Sequence, residues 1–133
     1  MRSILIVEDD LTFALMLSTW LNKKGFRAKS TSSIAEARRL LEGELFDLIL
    51  SDLRLPDGDG LELLGWMKKR SPKVPVILMT GYAEVQNAVL AIKSGAADYV
   101  AKPLNPDELL AKINETLSSK ADFAASASNG NGV

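Results

Sequence analysis

The chain has 133 residues, enough for one domain that buries roughly two thirds of the surface its unfolded form exposes. Apolar residues make up 47% of it and charged residues 25%, and 16 basic against 17 acidic residues leave a net charge of −1. Without a basic excess to neutralise phosphates, we expect no direct nucleic-acid binding by this chain. The absence of cysteine and histidine excludes disulfides, thiolate chemistry, zinc sites and any mechanism that needs an imidazole base.

The hydropathy of the chain predicts no membrane segment. No apolar run approaches the roughly 18 residues that a bilayer span requires, and the apolar start of the chain is too short for a signal peptide. We therefore expect a cytoplasmic protein.

The first third of the chain predicts two β–α units. An apolar run at residues 4–7 predicts a strand, and apolar residues at helical spacing in 13–21 predict a helix that ends at Gly25. A weaker strand is predicted at 27–30, at an edge of the sheet. A capping box at residues 33–36 then starts a second helix.

The rest of the chain predicts three more such units. Apolar runs at 48–50, 76–79 and 99–101 predict strands, and residues 61–69 predict a helix between the first two of them. The fourth helix is predicted from Val85, Val89 and Ile92, with its end at Gly95. The fifth begins at Asn105, Pro106, Asp107 and Glu108, a start signal, and buries Leu109, Leu110, Ile113 and Leu117.

Five βα units whose strands do not alternate between apolar and polar residues predict an α/β fold with both sheet faces covered. We expect a doubly wound, five-stranded parallel sheet in the order 2-1-3-4-5, with five helices and right-handed crossovers. Residues 1–118 form the predicted domain. The small, polar and aperiodic residues 119–133 predict a flexible linker to a further domain or a loose C-terminal tail.

Polar residues follow the predicted strands directly. Glu8, Asp9 and Asp10 follow the first strand, Asp52 ends the third, Thr80 ends the fourth, and Lys102 follows the fifth. In the order 2-1-3-4-5 the first and third strands are neighbours, so Glu8, Asp9 and Asp52 should meet in one cleft. Clustered carboxylates repel one another unless a cation lies between them, and hard oxygen ligands suit Mg²⁺. Acids at a helix start are the alternative interpretation of residues 8–10 taken alone.

Four blocks carry a family resemblance: ILIVEDD at 4–10, LSDLRLPDGDG at 50–60, MTGY at 79–82 and DYVAKP at 98–103. Together they resemble the receiver domains of two-component response regulators, over residues 3 to about 117, and most of all the receivers of nitrogen-regulator-type transcription activators. The resemblance implies a flavodoxin-like receiver fold. It also implies a signalling phosphoacceptor, active in its own phosphotransfer and autodephosphorylation, rather than an enzyme.

The resemblance assigns a role to each site residue. Asp52 matches the phosphoacceptor, which attacks the phosphohistidine of a sensor histidine kinase and forms an acyl phosphate. Glu8 and Asp9 match the acidic pair that holds Mg²⁺, together with Asp52 and the backbone carbonyl of Arg54. Asp10, one place beyond this pair, is expected to cap the first helix.

The remaining roles concern phosphoryl contacts and switching. Lys102 and Thr80 match the residues that contact the phosphoryl oxygens, and the bond from Lys102 to Pro103 matches a cis peptide. Tyr99, which from the sequence alone is as consistent with the core as with function, matches a switch residue coupled to Thr80. The implied partners are the kinase, an effector domain beyond the C-terminus (an ATPase plus DNA-binding region is one candidate), and a second copy through the face of helix 4, strand 5 and helix 5.

Three rival interpretations fit less well. A haloacid-dehalogenase-type phosphatase also uses a strand-end aspartate with Mg²⁺, but needs a second acid where this chain has Arg54. A flavodoxin-like cofactor carrier would cradle phosphate after the first strand, where three acids would repel it. A degenerate receiver used only for docking would lack active-site groups that are present here.

The Asp-Gly-Asp-Gly segment at 57–60 resembles a calcium loop but lacks its ligand spacing, and we interpret it as a turn.

Overall fold

The computed structural model describes residues 1–81, 89–90 and 92–129, with side-chain surroundings up to residue 119. The long strands are β1 (Ser3–Val7), β2 (Arg27–Thr31), β3 (Leu48–Asp52), β4 (Val76–Thr80) and β5 (Asp98–Ala101). The helices are α1 (Leu11–Lys23), α2 (Ile34–Gly43), α3 (Gly60–Arg70), α4, described at 89–90 and 92–93, and α5 (Pro106–Asn129). Val85, predicted for α4, lies outside the described residues.

The five long strands form one parallel sheet in the order β2-β1-β3-β4-β5. The predicted order and the predicted edge position of the second strand are therefore confirmed. Val7 pairs with Ser51, and Asp52 pairs with Met79, so β1, β3 and β4 end side by side. This register brings residues that are distant in sequence to one edge of the sheet.

Alternate residues of each central strand contact opposite faces of the sheet, and both faces are buried. Leu5, Ile49 and Leu78 pack with α2 and α3 on one face. Ile4, Leu50 and Ile77 pack with α1 and α5 on the other, which includes the predicted Leu109, Ile113 and Leu117. The continuous apolar strands of the sequence are thus explained by two helical layers.

Short polar side chains begin the helices. Asp10 caps α1 by accepting a hydrogen bond from the backbone N–H of Phe13, as predicted, and Asn105 accepts one from Glu108 at α5. The capping box at α2 is only half formed: Ser33 accepts from Glu36 N–H, but the Glu36 carboxylate accepts from the N–H of Ser32 instead of that of Ser33. The two bonds from Ser32 lower the pKa of Glu36.

Two elements were not predicted. Arg54–Leu55 and Gly58–Asp59 form a short antiparallel hairpin around the predicted turn. Helix α5 continues to Asn129, well into the segment predicted as a linker or tail, and the division of the chain at residue 118 stays a prediction.

Val89 and Ile92, which predicted α4, are exposed, and Gly95 after them has the positive φ of +105° typical of a helix end.

Asp57, at the tip of the hairpin, is a second cap for α2. Its two carboxylate oxygens accept from the backbone N–H groups of Ile34 and Ala35 at 2.9 and 3.0 Å, and these bonds hold the pKa of Asp57 below its usual range. The hairpin that follows the third strand is thereby tied to the start of α2.

Replacing Asp57 by Asn should lower the melting temperature by a few degrees at neutral pH, because an amide offers one acceptor oxygen instead of two. A carboxyl whose pKa is lowered by folding stabilises the folded state at pH values above its unfolded-state pKa, about 3.9 for aspartate. That contribution disappears as the pH falls through the folded-state pKa. The difference in melting temperature between Asp57→Asn and the parent should therefore disappear below about pH 4. Thermal melts across pH test this, with Glu42→Gln, an exposed acid of the same helix, as the control. A difference that persists in acid would contradict it.

Candidate functional site

Three carboxylates meet at the carboxyl edge of the sheet. Glu8 and Asp9 follow β1, Asp52 ends the neighbouring β3, and one oxygen of each lies within 4.8 Å of the others. Glu8 is 1% exposed, Asp52 is half-buried and Asp9 is exposed. The convergence predicted from the strand order is therefore present.

The ammonium group of Lys102 lies between two of these carboxylates. Its Nζ donates to Glu8 Oε1 at 2.7 Å and to Asp52 Oδ2 at 3.1 Å, while 29% of its side chain remains exposed. The second oxygen of Glu8 accepts from the N–H of Asp10 at 3.0 Å. Both oxygens of the buried carboxylate are therefore satisfied.

Burial and charge act in opposite directions on this pair. Burial raises the pKa of Glu8, and the hydrogen bond from Lys102 only partly offsets that effect. Burial alone would lower the pKa of Lys102, but the hydrogen bonds to Glu8 and Asp52 outweigh it and raise the pKa. Lys102 is thus held as a cation beside the acids.

The main chain fixes the position of Lys102. Its backbone N–H donates to the carbonyl of Thr80 at 2.7 Å, joining the ends of β4 and β5. The following bond to Pro103 is cis, as the resemblance implies. The ammonium also lies 5.0 Å from the ring centroid of Phe13, on α1.

The position of Asp52 depends on close backbone packing. The backbone N–H of Leu53 donates to the carbonyl of Met79 at 2.9 Å. The carbonyl of Leu53 in turn accepts from the backbone N–H of Gly60 at 2.7 Å. A Cβ on Gly60 would lie 2.7 Å from the carbonyl oxygen of Asp52, too close for any side chain. Gly60 is therefore required for the chain to return beside Asp52, a role that the turn interpretation of 57–60 did not include.

Thr80 ends β4, and Tyr99 lies in the neighbouring β5, where it pairs with Leu78. Thr80 is 2% exposed, and its hydroxyl donates to the carbonyl of Val100 at 3.5 Å, a long bond. Tyr99 is half-buried, and Lys112 of α5 lies 5.1 Å from its ring centroid. Lys112 also donates to the carbonyl of Tyr99 at 2.7 Å and to Asp98 at 3.2 Å.

The donor set suits a hard divalent cation. Three carboxylate oxygens within 4.8 Å of one another, one of them on an exposed residue, leave room for water in the remaining positions, as Mg²⁺ prefers. Arg54, the fourth predicted ligand through its carbonyl, lies in the hairpin two residues after Asp52. The acidic cluster is thus able to bind a metal ion.

The geometry agrees with the comparison with known proteins. Residues 4–114 match the family model described as the response regulator receiver domain. The chain belongs to this family. It is a receiver domain of two-component response regulators, whose members act as phosphoacceptors. Among the described residues, no helix combines the length and apolar character needed to cross a membrane.

This receiver is similar to many known proteins, including the following three. The transcriptional regulatory protein ZraR of Klebsiella oxytoca is 39% identical over 114 residues, covering 86% of this chain and 26% of ZraR. A CheY-like receiver domain protein from Methanospirillum hungatei is 36% identical with a TM-score of 0.87, covering 92% of this chain and 98% of that one. The beryllofluoride-activated NtrC4 receiver domain dimer is 31% identical with a TM-score of 0.85, covering 90% and 99%.

Proposed function

We propose that this receiver accepts a phosphoryl group on Asp52 and that Glu8, Asp9, Lys102 and Thr80 assist the transfer. The observation that supports the proposal is the meeting of Asp52 with two acids and one lysine at the carboxyl edge of the sheet. The four groups come from the carboxyl ends of three strands, β1, β3 and β5, and open α/β sheets place their ligand sites at this edge.

The chemistry is an in-line phosphoryl transfer. A carboxylate oxygen of Asp52 attacks the phosphorus of a phosphohistidine, an O–P bond forms as the N–P bond breaks, and the leaving imidazole nitrogen keeps the bonding pair. The Lys102 ammonium, already 3.1 Å from Asp52, and the Thr80 hydroxyl hold the phosphoryl oxygens. Glu8, Asp9, Asp52 and the Arg54 carbonyl would hold Mg²⁺, which neutralises phosphoryl charge when bound. Positioning and charge neutralisation suffice for this reaction, so no histidine is needed in the receiver.

Acetyl phosphate with Mg²⁺ should add a single phosphoryl group to the parent, observed as one shift in intact mass. Asp52→Asn should not acquire it, since an amide oxygen is a far weaker nucleophile than a carboxylate. Asp10→Asn, which removes the neighbouring acid but retains a helix cap, is the control and should be phosphorylated as the parent is. Uptake by Asp52→Asn at the parent's rate would refute the assignment.

The proposed partners follow from the family and from the relatives. A sensor histidine kinase would supply the phosphoryl group, and an effector domain would act on the result. ZraR is a transcriptional regulatory protein, and this chain spans only 26% of its length, which supports a transcriptional effector beyond the present C-terminus. A cytoplasmic location belongs to the same proposal.

Switching would pass from Thr80 to Tyr99. A hydroxyl drawn from the carbonyl of Val100 toward the phosphoryl group would vacate space beside β5, and the Tyr99 ring would turn inward. The phosphoryl group would shift a pre-existing equilibrium between two states. The activated NtrC4 receiver is a dimer, which supports a second copy of this chain as a partner. We place this partner on the α4–β5–α5 face, because Tyr99 lies in β5.

Beryllofluoride with Mg²⁺, a stand-in for the phosphoryl group, should therefore cause amide shift changes along β5 and α5 in the parent and much smaller ones in Thr80→Ala. Light scattering at increasing concentration should show the second copy binding to the activated parent more tightly than to the activated variant. Thr12→Ala, on the exposed side of α1, is the matched control. Shift changes confined to the surroundings of Asp52, or equal in parent and Thr80→Ala, would contradict the coupling.

A further inference from the structure

Phe13 is a third close neighbour of the Lys102 ammonium, beside the two carboxylates that accept its hydrogen bonds. Glu8 and Asp52 accept from Nζ at 2.7 and 3.1 Å, and the Phe13 ring centroid lies 5.0 Å from the same nitrogen. A cation within about 6 Å of an aromatic ring is attracted to the negative face of the ring, the more so where water is excluded. The ammonium thus has close neighbours from three different parts of the fold: the end of β1, the end of β3 and the first turn of α1.

The ring is itself held in place. The Asp10 carboxylate caps the backbone N–H of Phe13 at 3.1 Å, which fixes the first turn of α1. The half-buried ring packs against the apolar cluster beneath α1 and α5. The ring also lines a groove of about 700 Å³, together with Leu17, Leu109 and Lys102 itself. Its apolar neighbours restrict the ring without competing for the cation.

We propose that Phe13 is a positioning residue for phosphorylation of Asp52, holding the Lys102 ammonium where the phosphoryl oxygens arrive. This rests on the proposed function, in which Lys102 contacts those oxygens. During transfer Lys102 must exchange part of its pairing with the carboxylates for the incoming oxygens. The ring attracts the cation throughout this exchange, so the ammonium is not released to solvent and needs little reorganisation.

Phe13→Leu removes the ring but keeps an apolar side chain, and it should slow phosphorylation by acetyl phosphate with Mg²⁺ about two- to five-fold, the size expected from one cation–π contact. Phe13→Tyr retains an aromatic face and should restore the rate. Trp20→Leu, the matched control, removes another aromatic ring that lines the groove and that lies 6.0 Å from the Lys24 ammonium. It should leave the rate unchanged.

A spectroscopic signature separates positioning from general stability. The ring current of Phe13 should shift the side-chain protons of Lys102 next to Nζ upfield in the parent and in Phe13→Tyr. The shift should vanish in Phe13→Leu and persist in Trp20→Leu. Equal shifts in the parent and Phe13→Leu would overturn the proposal, whatever the stability of the variants.

Combining Phe13→Leu with Lys102→Met tests whether the ring acts through the lysine. The leucine variant should cause no further slowing when Lys102 is absent. The same slowing in both backgrounds would overturn the role of Phe13. Full activity of Lys102→Met alone would instead refute the role of Lys102 in the proposed function, while the proton shifts would still report whether the ring faces the ammonium.

Discussion

Replacing Lys102 by Met should both slow phosphorylation about 10²-fold and destabilise the metal-free domain by roughly 3–5 kcal/mol at neutral pH. The rate falls because the charge that faces the phosphoryl oxygens is lost. Stability falls because Glu8 is almost fully buried and would retain only the hydrogen bond from Asp10. A buried charge left without its partner is among the costliest single changes in a protein.

The stability lost in Lys102→Met should depend on pH in a definite direction. Burial already raises the pKa of Glu8, and loss of Lys102 removes a group that lowers it. A group with a raised folded-state pKa loses its stabilising contribution as pH rises through that value. The variant should therefore recover stability relative to the parent as the pH falls from neutral toward the ordinary pKa of a glutamate, about 4.3. Urea melts measure this, with Lys29→Met as control, because the exposed Lys29–Glu44 pair should contribute under about 1 kcal/mol. A constant deficit across pH would contradict the assignment to Glu8.

Mg²⁺ should raise the melting temperature of the parent. At about 100 times the dissociation constant, the gain in unfolding free energy should be roughly 2.7 kcal/mol. The physical reason is the like-charge repulsion among Glu8, Asp9 and Asp52, of which Lys102 contacts only two.

Asp9→Asn should raise the stability of the metal-free domain and abolish its response to Mg²⁺. Asp10→Asn is the matched control: it removes an adjacent acid outside the cluster and keeps the cap of α1. Thermal melts with and without millimolar Mg²⁺ provide the comparison. A parent indifferent to the ion, or an Asp9→Asn variant that responds as strongly as the parent, would contradict a metal site at these residues.

Strand order explains why so much of the site was predictable. Apolar runs of strand length define the sheet, and each run is followed directly by a polar residue. Parallel strands in the order 2-1-3-4-5 then bring Glu8, Asp9 and Asp52 together without any knowledge of side-chain geometry. The cap formed by Asn105 was predicted from the start signal of the last helix, and the cap formed by Asp10 from its place one position beyond the acidic pair.

Contacts between distant segments were not predictable in this way. Asp57 caps a helix that begins 23 residues before it, and its local sequence indicates only a turn. Lys102 was assigned to phosphoryl oxygens, and nothing in its neighbours indicates that it pairs with a buried Glu8 in the absence of a ligand. Phe13 has the spacing of an ordinary core residue of α1, so its contact with Lys102 appears only once α1 and β5 are packed together.

Helix ends were the least predictable local feature. Small residues such as alanine and serine after Ser118 give no periodic pattern, yet they continue α5 to Asn129, since alanine is a strong helix former. At α2 the side chain of Glu36 extends one residue further than a capping box requires, to Ser32.

The central claim, that Asp52 is the phosphoacceptor, is tested most directly by trapping the acyl phosphate. Borohydride reduces an aspartyl phosphate to homoserine, and peptide mapping by mass spectrometry then locates the modified residue. After treatment with acetyl phosphate and Mg²⁺, homoserine should be found at position 52 and at no other acid. Homoserine at Asp9, hydroxynorvaline (the reduction product of a glutamyl phosphate) at Glu8, or an unmodified Asp52 in protein that has gained a phosphoryl group would contradict the account.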